Sequence, residues 1–232
     1  MNDRLKKLGY VLIVVGMIFV VAGGVAYSKT QDGYNSLAKF SEAQNVTLSY
    51  NDEGQLTDRG TTEGAQAILD FLENEWGFKV EAGELDANDP LVNSGSEYMF
   101  QMATVSYHVL NGTQTVVLDE PVEYNGETFA AGTYEVPVDG RYWTDFDRQH
   151  PLEGPTRSQA WSGTAHGIVG ELGVGTVTHS ALKLALALAG LFAGLGLVFI
   201  LTGAGLAWAA GGSGNKASFV TDSVIDKELT SA

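Results

Sequence analysis

The chain has 232 residues, with 13 Lys and Arg against 28 Asp and Glu, four His and no Cys. A formal charge of −15 disfavours nucleic acid and anionic lipid as partners and suits solvent, cations or a basic partner. The missing cysteine excludes disulfides, thiolate metal sites and cysteine nucleophiles together.

Residues 1–7 carry Arg4, Lys6 and Lys7, and directly precede the uncharged run Leu8–Tyr27. A second uncharged run follows at Leu184–Ala210. A helix needs roughly 20 apolar residues to cross a hydrocarbon core of about 30 Å, and both runs suffice. Basic residues beside a span stay on the cytoplasmic side. The expected topology is therefore a cytoplasmic N-terminus (1–7), span 8–27, an outer domain (28–181), span 184–210 and a cytoplasmic tail, Gly211–Ala232. Tyr10, Tyr27 and Trp208 fall near the expected interfaces. The competing reading of the start is a cleaved signal peptide, with Gly24-Val25-Ala26 imitating a cleavage site. The run exceeds the roughly 7–15 residues of a signal core, which favours a retained span.

Neither run contains an ionisable residue, so a proton relay or ion path through these two helices alone is disfavoured. Small residues are patterned instead. Gly9, Gly16 and Gly23 recur every seven residues, as do Ala189, Gly196, Gly203 and Ala210, and Gly190-x-x-x-Gly194 overlaps the second set. Such stripes let a second backbone approach closely, within a hairpin or against other subunits. The bland alternative is the general abundance of Gly and Ala in membrane helices.

Between the spans, residues 28–181 hold 7 Lys and Arg against 24 Asp and Glu, a net of −17, so the acidity belongs to this region. Ser28–Gln44 is expected to prolong the first helix, and Val46–Tyr50 to form a short strand before the turn Asn51–Gly54. Thr61 or Thr62 caps a helix with Ala65, Ile68, Leu69, Leu72 and Trp76 on one face and Gly77 as its stop. Ser94 and Glu97 form a capping box for a second helix, with Tyr98, Met102, Val105 and Val109 as its apolar side. Strands are expected at Thr115–Leu118, Val122–Tyr124, Glu127–Phe129 and Thr133–Val138, with a hairpin turn at Asn125-Gly126. Pro137 would place the last at an edge. Asp139–Pro155 reads as an aromatic-rich loop, Gln159–Val169 as a short helix and Gly170–Thr178 as a flexible linker.

The densest polar cluster, Asp145, Asp147 and His150 with Glu153 nearby, offers acceptable donors for a hard or borderline cation. Arg141 and Arg148 interleave with those acids, so an ion-paired solvated loop is the alternative. No two of His108, His150, His166 and His179 show zinc or non-haem iron spacing. No Gly-x-Ser-x-Gly elbow is present, and Gly173-Val-Gly175 is too short for a dinucleotide loop. No cofactor is expected. Asn45-Val-Thr47 and Asn111-Gly-Thr113 match the short glycosylation pattern.

The order of basic start, span, Gln44-Asn45-Val46-Thr47-Leu48, helix, Glu84–Pro90, Ser96–Val105 and Gly-rich span resembles a family of actinobacterial two-pass membrane proteins of unknown function. The likeness covers roughly Met1–Val105 and the last span; Thr113–Val138 looks like an insertion. Members often carry a label as aromatic ring-opening dioxygenases, which implies an iron site, and no such motif is found. The family supplies no catalytic residues.

The expected fold class is a membrane protein in which two transmembrane α-helices form a hairpin anchor with an α+β extracytoplasmic domain inserted between them. The expected role is a non-catalytic accessory subunit of a larger complex in the cytoplasmic membrane. Its host would be an oxidoreductase, such as a membrane-bound copper monooxygenase or a respiratory assembly. Its partners would be lipid and other transmembrane subunits, without nucleic acid. The alternative is a free-standing extracytoplasmic protein that binds a metal or ligand in the Asp139–Glu153 loop.

Overall fold

The computed structural model describes residues 2–212. Most of the expected tail, Gly211–Ala232, lies outside them. The elements in chain order are α1 (Asn2–Gln44), β1 (Ser49–Tyr50), β2 (Leu56–Thr57) and α2 (Thr62–Asp70), which runs into a π-helical turn (Phe71–Glu75). Then come α3 (Gly95–Leu110), β3 (Thr113–Leu118), β4 (Val122–Tyr124), β5 (Glu127–Phe129), β6 (Gly132–Pro137), α4 (Glu153–Ala160) and α5 (Gly163–Gly212). They divide into two compact units, Met1–Tyr34 with Leu182 onward, and Asn35–Ala181.

Both α1 and α5 are long and apolar enough to cross a membrane. Their most apolar windows are only 17% and 11% buried, far less than a core helix of a globule would be. Val14, Ile18, Val21 and Val25 on α1, and Leu191, Leu197, Val198 and Leu201 on α5, are all more than half exposed. At 1.5 Å per residue, the 43 residues of α1 extend about 64 Å, so each helix has length beyond any lipid-spanning portion.

In the first unit the helices pair antiparallel. Gly9 meets Gly203, Gly16 meets Gly196 and Gly23 meets Ala189, a step of seven along each helix. A seven-residue repeat keeps one seam in register only if the helices wind left-handedly. Phe19 fills the space between contacts, with its ring 5.9 Å from Phe192 and 5.8 Å from Phe199.

The second unit is built around α3, on which no residue from Gly95 to Leu110 is exposed. Its N-terminus carries the capping box: the Ser94 hydroxyl accepts from the Glu97 amide, and the Glu97 carboxylate accepts from the Ser94 amide at 2.8 Å. One core gathers Leu48, Ile68, Leu72, Val92, Phe100, Ala103 and Leu172; a second gathers Leu110, Val138, Phe146, Ala160 and Trp161. The buried positions of α3 include Tyr98, Phe100, Ala103, Ser106 and Leu110, while Met102, Val105 and Val109 are only partly covered. A helix enclosed on all sides lacks the single apolar stripe that the sequence reading assumed.

Strands β3 and β6 pair antiparallel from Thr113↔Pro137 to Leu118↔Gly132, and the β4–β5 hairpin lies between them in sequence. Asn125 (φ 50°) and Gly126 (φ 84°) turn that hairpin, as the primed turn requires. Three expectations change. Strand β1 pairs with β2, which the sequence did not reveal. Helix α4 covers Glu153–Ala160, inside and beyond the expected loop. The Gly-rich stretch 170–178 is continuous helix within α5, and no linker. Gly175 explains that last change, because a Cβ there would lie 2.6 Å from the Tyr98 ring. Glycine in this segment lets α5 approach α3 at an aromatic residue.

Candidate functional site

In the Asp139–Glu153 loop the structure spends the expected metal donors on the loop itself. Asp145 accepts from the Tyr142 amide at 2.8 Å. Asp147 accepts from the Tyr124 hydroxyl and, at 2.9 Å, from the Gln149 amide. Those two hydrogen bonds hold the Asp147 carboxyl below its usual range. His150 Nδ1 accepts from the Leu152 and Glu153 amides at 3.1 and 3.2 Å, which places its lone pair on the start of α4. Its ring packs edge-on against Tyr124 and Phe129. Glu153 pairs with Arg141 at 3.0 Å, and Arg141 also sits 4.3 Å over the Phe146 ring. Among the described residues no group of three His, Cys, Asp or Glu is arranged to hold a metal. Asp145, Asp147 and His150 are thus not assembled as a ligand set; turn formation and aromatic packing use them instead.

The remaining histidines occupy separate settings. His108 pairs with Asp58 at 2.9 Å, across 50 residues of sequence. His166 contacts the Trp161 and Ser162 carbonyls at the start of α5, and His179 lies 3.5 Å from Glu84. Glu84 in turn accepts from the Ser96 amide in the first turn of α3.

Of the expected helix-packing residues, Gly9, Gly16, Gly23, Ala189, Gly196 and Gly203 line the seam inside the hairpin. A Cβ on Gly16 would lie 2.5 Å from the Gly196 carbonyl oxygen, and one on Gly196 would lie 2.6 Å from that of Gly16. Each carbonyl therefore faces the other glycine's hydrogen-bearing α-carbon, an arrangement open to weak Cα–H···O contacts. Gly190 and Gly194 are not in the seam. A Cβ at either, or at Gly24, would meet nothing within 4 Å. Gly24 and Gly190 border an open, almost wholly apolar groove of about 530 Å³, with Val20, Tyr27, Leu186 and Ala193.

Two further clefts lie in the second unit, and sequence reasoning found neither. One, of about 220 Å³, lies among Phe40, Val46, Val92, Val105 and Leu172. At its side Tyr98 donates to Ser41 at 2.7 Å, since the Ser41 proton is used on the Leu37 carbonyl. The other, of about 430 Å³, is walled by the π-helical turn, α3 and the loop after β6. The only sequence signal for the second was the density of aromatic residues around Trp76 and Tyr142.

Comparison of the chain with known protein families, with characterised proteins and with solved structures finds no match in any of the three.

Proposed function

We propose that this chain is a non-catalytic accessory subunit anchored in the cytoplasmic membrane by the α1–α5 hairpin, with its acidic α/β unit outside. One observation carries the reading. After the hairpin has closed on its own seam, Gly24 and Gly190 still present open backbone at an apolar groove, and Gly194, one turn further along α5, is equally uncovered. Water would make such a surface costly, whereas in lipid a small-residue face favours another helix that can approach closely. The basic start at Arg4, Lys6 and Lys7 supports the cytoplasmic placement of the N-terminus. The host in this reading is an oxidoreductase assembly of the cytoplasmic membrane. The same reading keeps the likeness to actinobacterial two-pass proteins, which rests on the order of short motifs alone.

Purification of a tagged chain from native membranes in a mild detergent tests the proposal. Co-purification of defined membrane subunits, lost on Gly190→Leu, is the expected result. Recovery of the chain alone overturns it.

A further inference from the structure

The 430 Å³ cleft has a chemical character that the docking reading does not use. Three aromatic residues line it, Phe71, Tyr107 and Tyr142, together with two carboxylates, Asp70 and Glu75. The rings are fixed by their neighbours. Phe71 packs 4.9 Å from Trp76 and 6.0 Å from Tyr107. The Tyr142 hydroxyl accepts from the Trp76 indole at 3.1 Å, and its ring stacks on Trp161. Tyr142 nevertheless remains 41% exposed, so part of its surface is open.

The acids are free to act as counter-charges. No Lys or Arg lines the cleft, and among the described residues neither Asp70 nor Glu75 joins an ion pair. Asp70 accepts an amide hydrogen from Gln66, which leaves its charge in place. The backbone is unusual at the same point: α2 passes into a π turn, where the Trp76 amide donates to the Phe71 carbonyl five residues back. Single π turns of this kind are frequent at binding sites.

Aromatic faces with unneutralised carboxylates beside them attract a large, weakly hydrated cation. A small metal ion needs several oxygens converging on one point, and two carboxylates do not supply them. We propose that this cleft binds an alkylated ammonium group, of the kind carried by choline. The rings take the methyl-covered charge, and Asp70 and Glu75 supply the compensating field. This inference stands independently of the hairpin's partner.

The test uses the full chain in nanodiscs of phosphatidylglycerol, titrated with choline and with its neutral isostere 3,3-dimethyl-1-butanol. Calorimetry and tryptophan emission, to which Trp76 contributes, provide two readouts. The expected result is choline binding at least about tenfold tighter than the isostere. The double variant Asp70→Asn, Glu75→Gln, on exposed residues, is expected to weaken choline binding about tenfold with unchanged melting. Tyr142→Leu weakens it likewise, and Tyr142→Phe, which loses the Trp76 hydrogen bond but keeps the ring stacked on Trp161, weakens it less than Leu does. A second arm replaces choline with phosphatidylcholine vesicles. Binding to them that free choline displaces identifies a lipid headgroup as the source; binding of free choline alone identifies a soluble one. Equal affinity for choline and its isostere, indifference to the acidic double variant, or silence in both arms overturns the proposal.

Discussion

Gly16→Ala and Gly190→Ala form a matched pair that isolates the close approach of the two long helices. Alanine gains up to about 1 kcal/mol of helix propensity over glycine, and the gain applies at both positions. It therefore cancels in the comparison. At Gly16 the new methyl would sit 2.5 Å from the Gly196 oxygen, 2.7 Å from Ile200 Cγ1 and 2.9 Å from the Ile200 amide nitrogen. Two of those three atoms are backbone, so no rotamer change can relieve them and the helices must separate. Overpacking of this kind costs about 1–3 kcal/mol. At Gly190 there is nothing within 4 Å to meet. The hairpin of the Gly16 variant should thus be weaker by about 1–3 kcal/mol relative to the Gly190 variant. The natural chain lacks cysteine, so a dye pair on two introduced cysteines reports hairpin opening without background as dodecyl sulfate is raised in mixed micelles. Opening of both variants at the same detergent fraction would refute the seam.

Gly175→Ala should destabilise the second unit by about 1–3 kcal/mol, because its Cβ falls 2.6 Å from the Tyr98 ring. Gly173→Ala, whose new methyl would meet Met102 Sδ at 3.8 Å, should be tolerated; near-UV circular dichroism melts compare the two. Burial lifts the Glu97 carboxyl above its ordinary value near 4.5. A raised carboxyl favours the folded chain while it is protonated, and the benefit is lost as pH climbs from the unfolded value through the folded one. Glu97→Gln should remove that component of the pH slope, measured as the difference between wild-type and variant melts from about pH 4 to 8. Ser94→Ala should cost about 1 kcal/mol through loss of the cap, read in the same melts. Calcium or zinc should leave the melting temperature unchanged, because Asp145, Asp147 and His150 already serve the loop; a rise that Asp147→Ala abolishes would contradict this.

Features that depend on neighbouring residues were legible in the sequence. The Ser94–Glu97 capping box, the Thr61 cap on the Gly64 amide, the Asn125-Gly126 turn and the two uncharged runs all appear where local chemistry places them. Features set by distant residues were not. Gly173 and Gly175 look like a linker until Met102 and Tyr98 are seen beside them. Of the apolar side expected on α3, Tyr98 is buried but Met102, Val105 and Val109 are only partly covered, because a helix enclosed all round shows less contrast between its faces. Strand β1 falls at the end of the expected Val46–Tyr50 strand, whereas the two residues of β2 are too few for alternation to show. Asp145, Asp147 and His150 have metal-ligand chemistry in sequence, but their backbone partners became visible only once the chain had turned. The glycine spacing marked contact faces without saying which face meets which helix. The structure separates Gly16 and Gly196, which face each other, from Gly190 and Gly194, which do not.

Photo-crosslinking in native membranes tests the docking claim most directly. A photoreactive residue is placed in turn at Gly24, Gly190 and Gly194, and at the exposed Ile18 and Leu188, about a third of a turn or more away from those glycines, as controls. A discrete adduct with one other membrane subunit, formed from the three glycine positions and absent from the controls, is the expected result. Adducts with lipid alone, or the same diffuse products from all five positions, would contradict it.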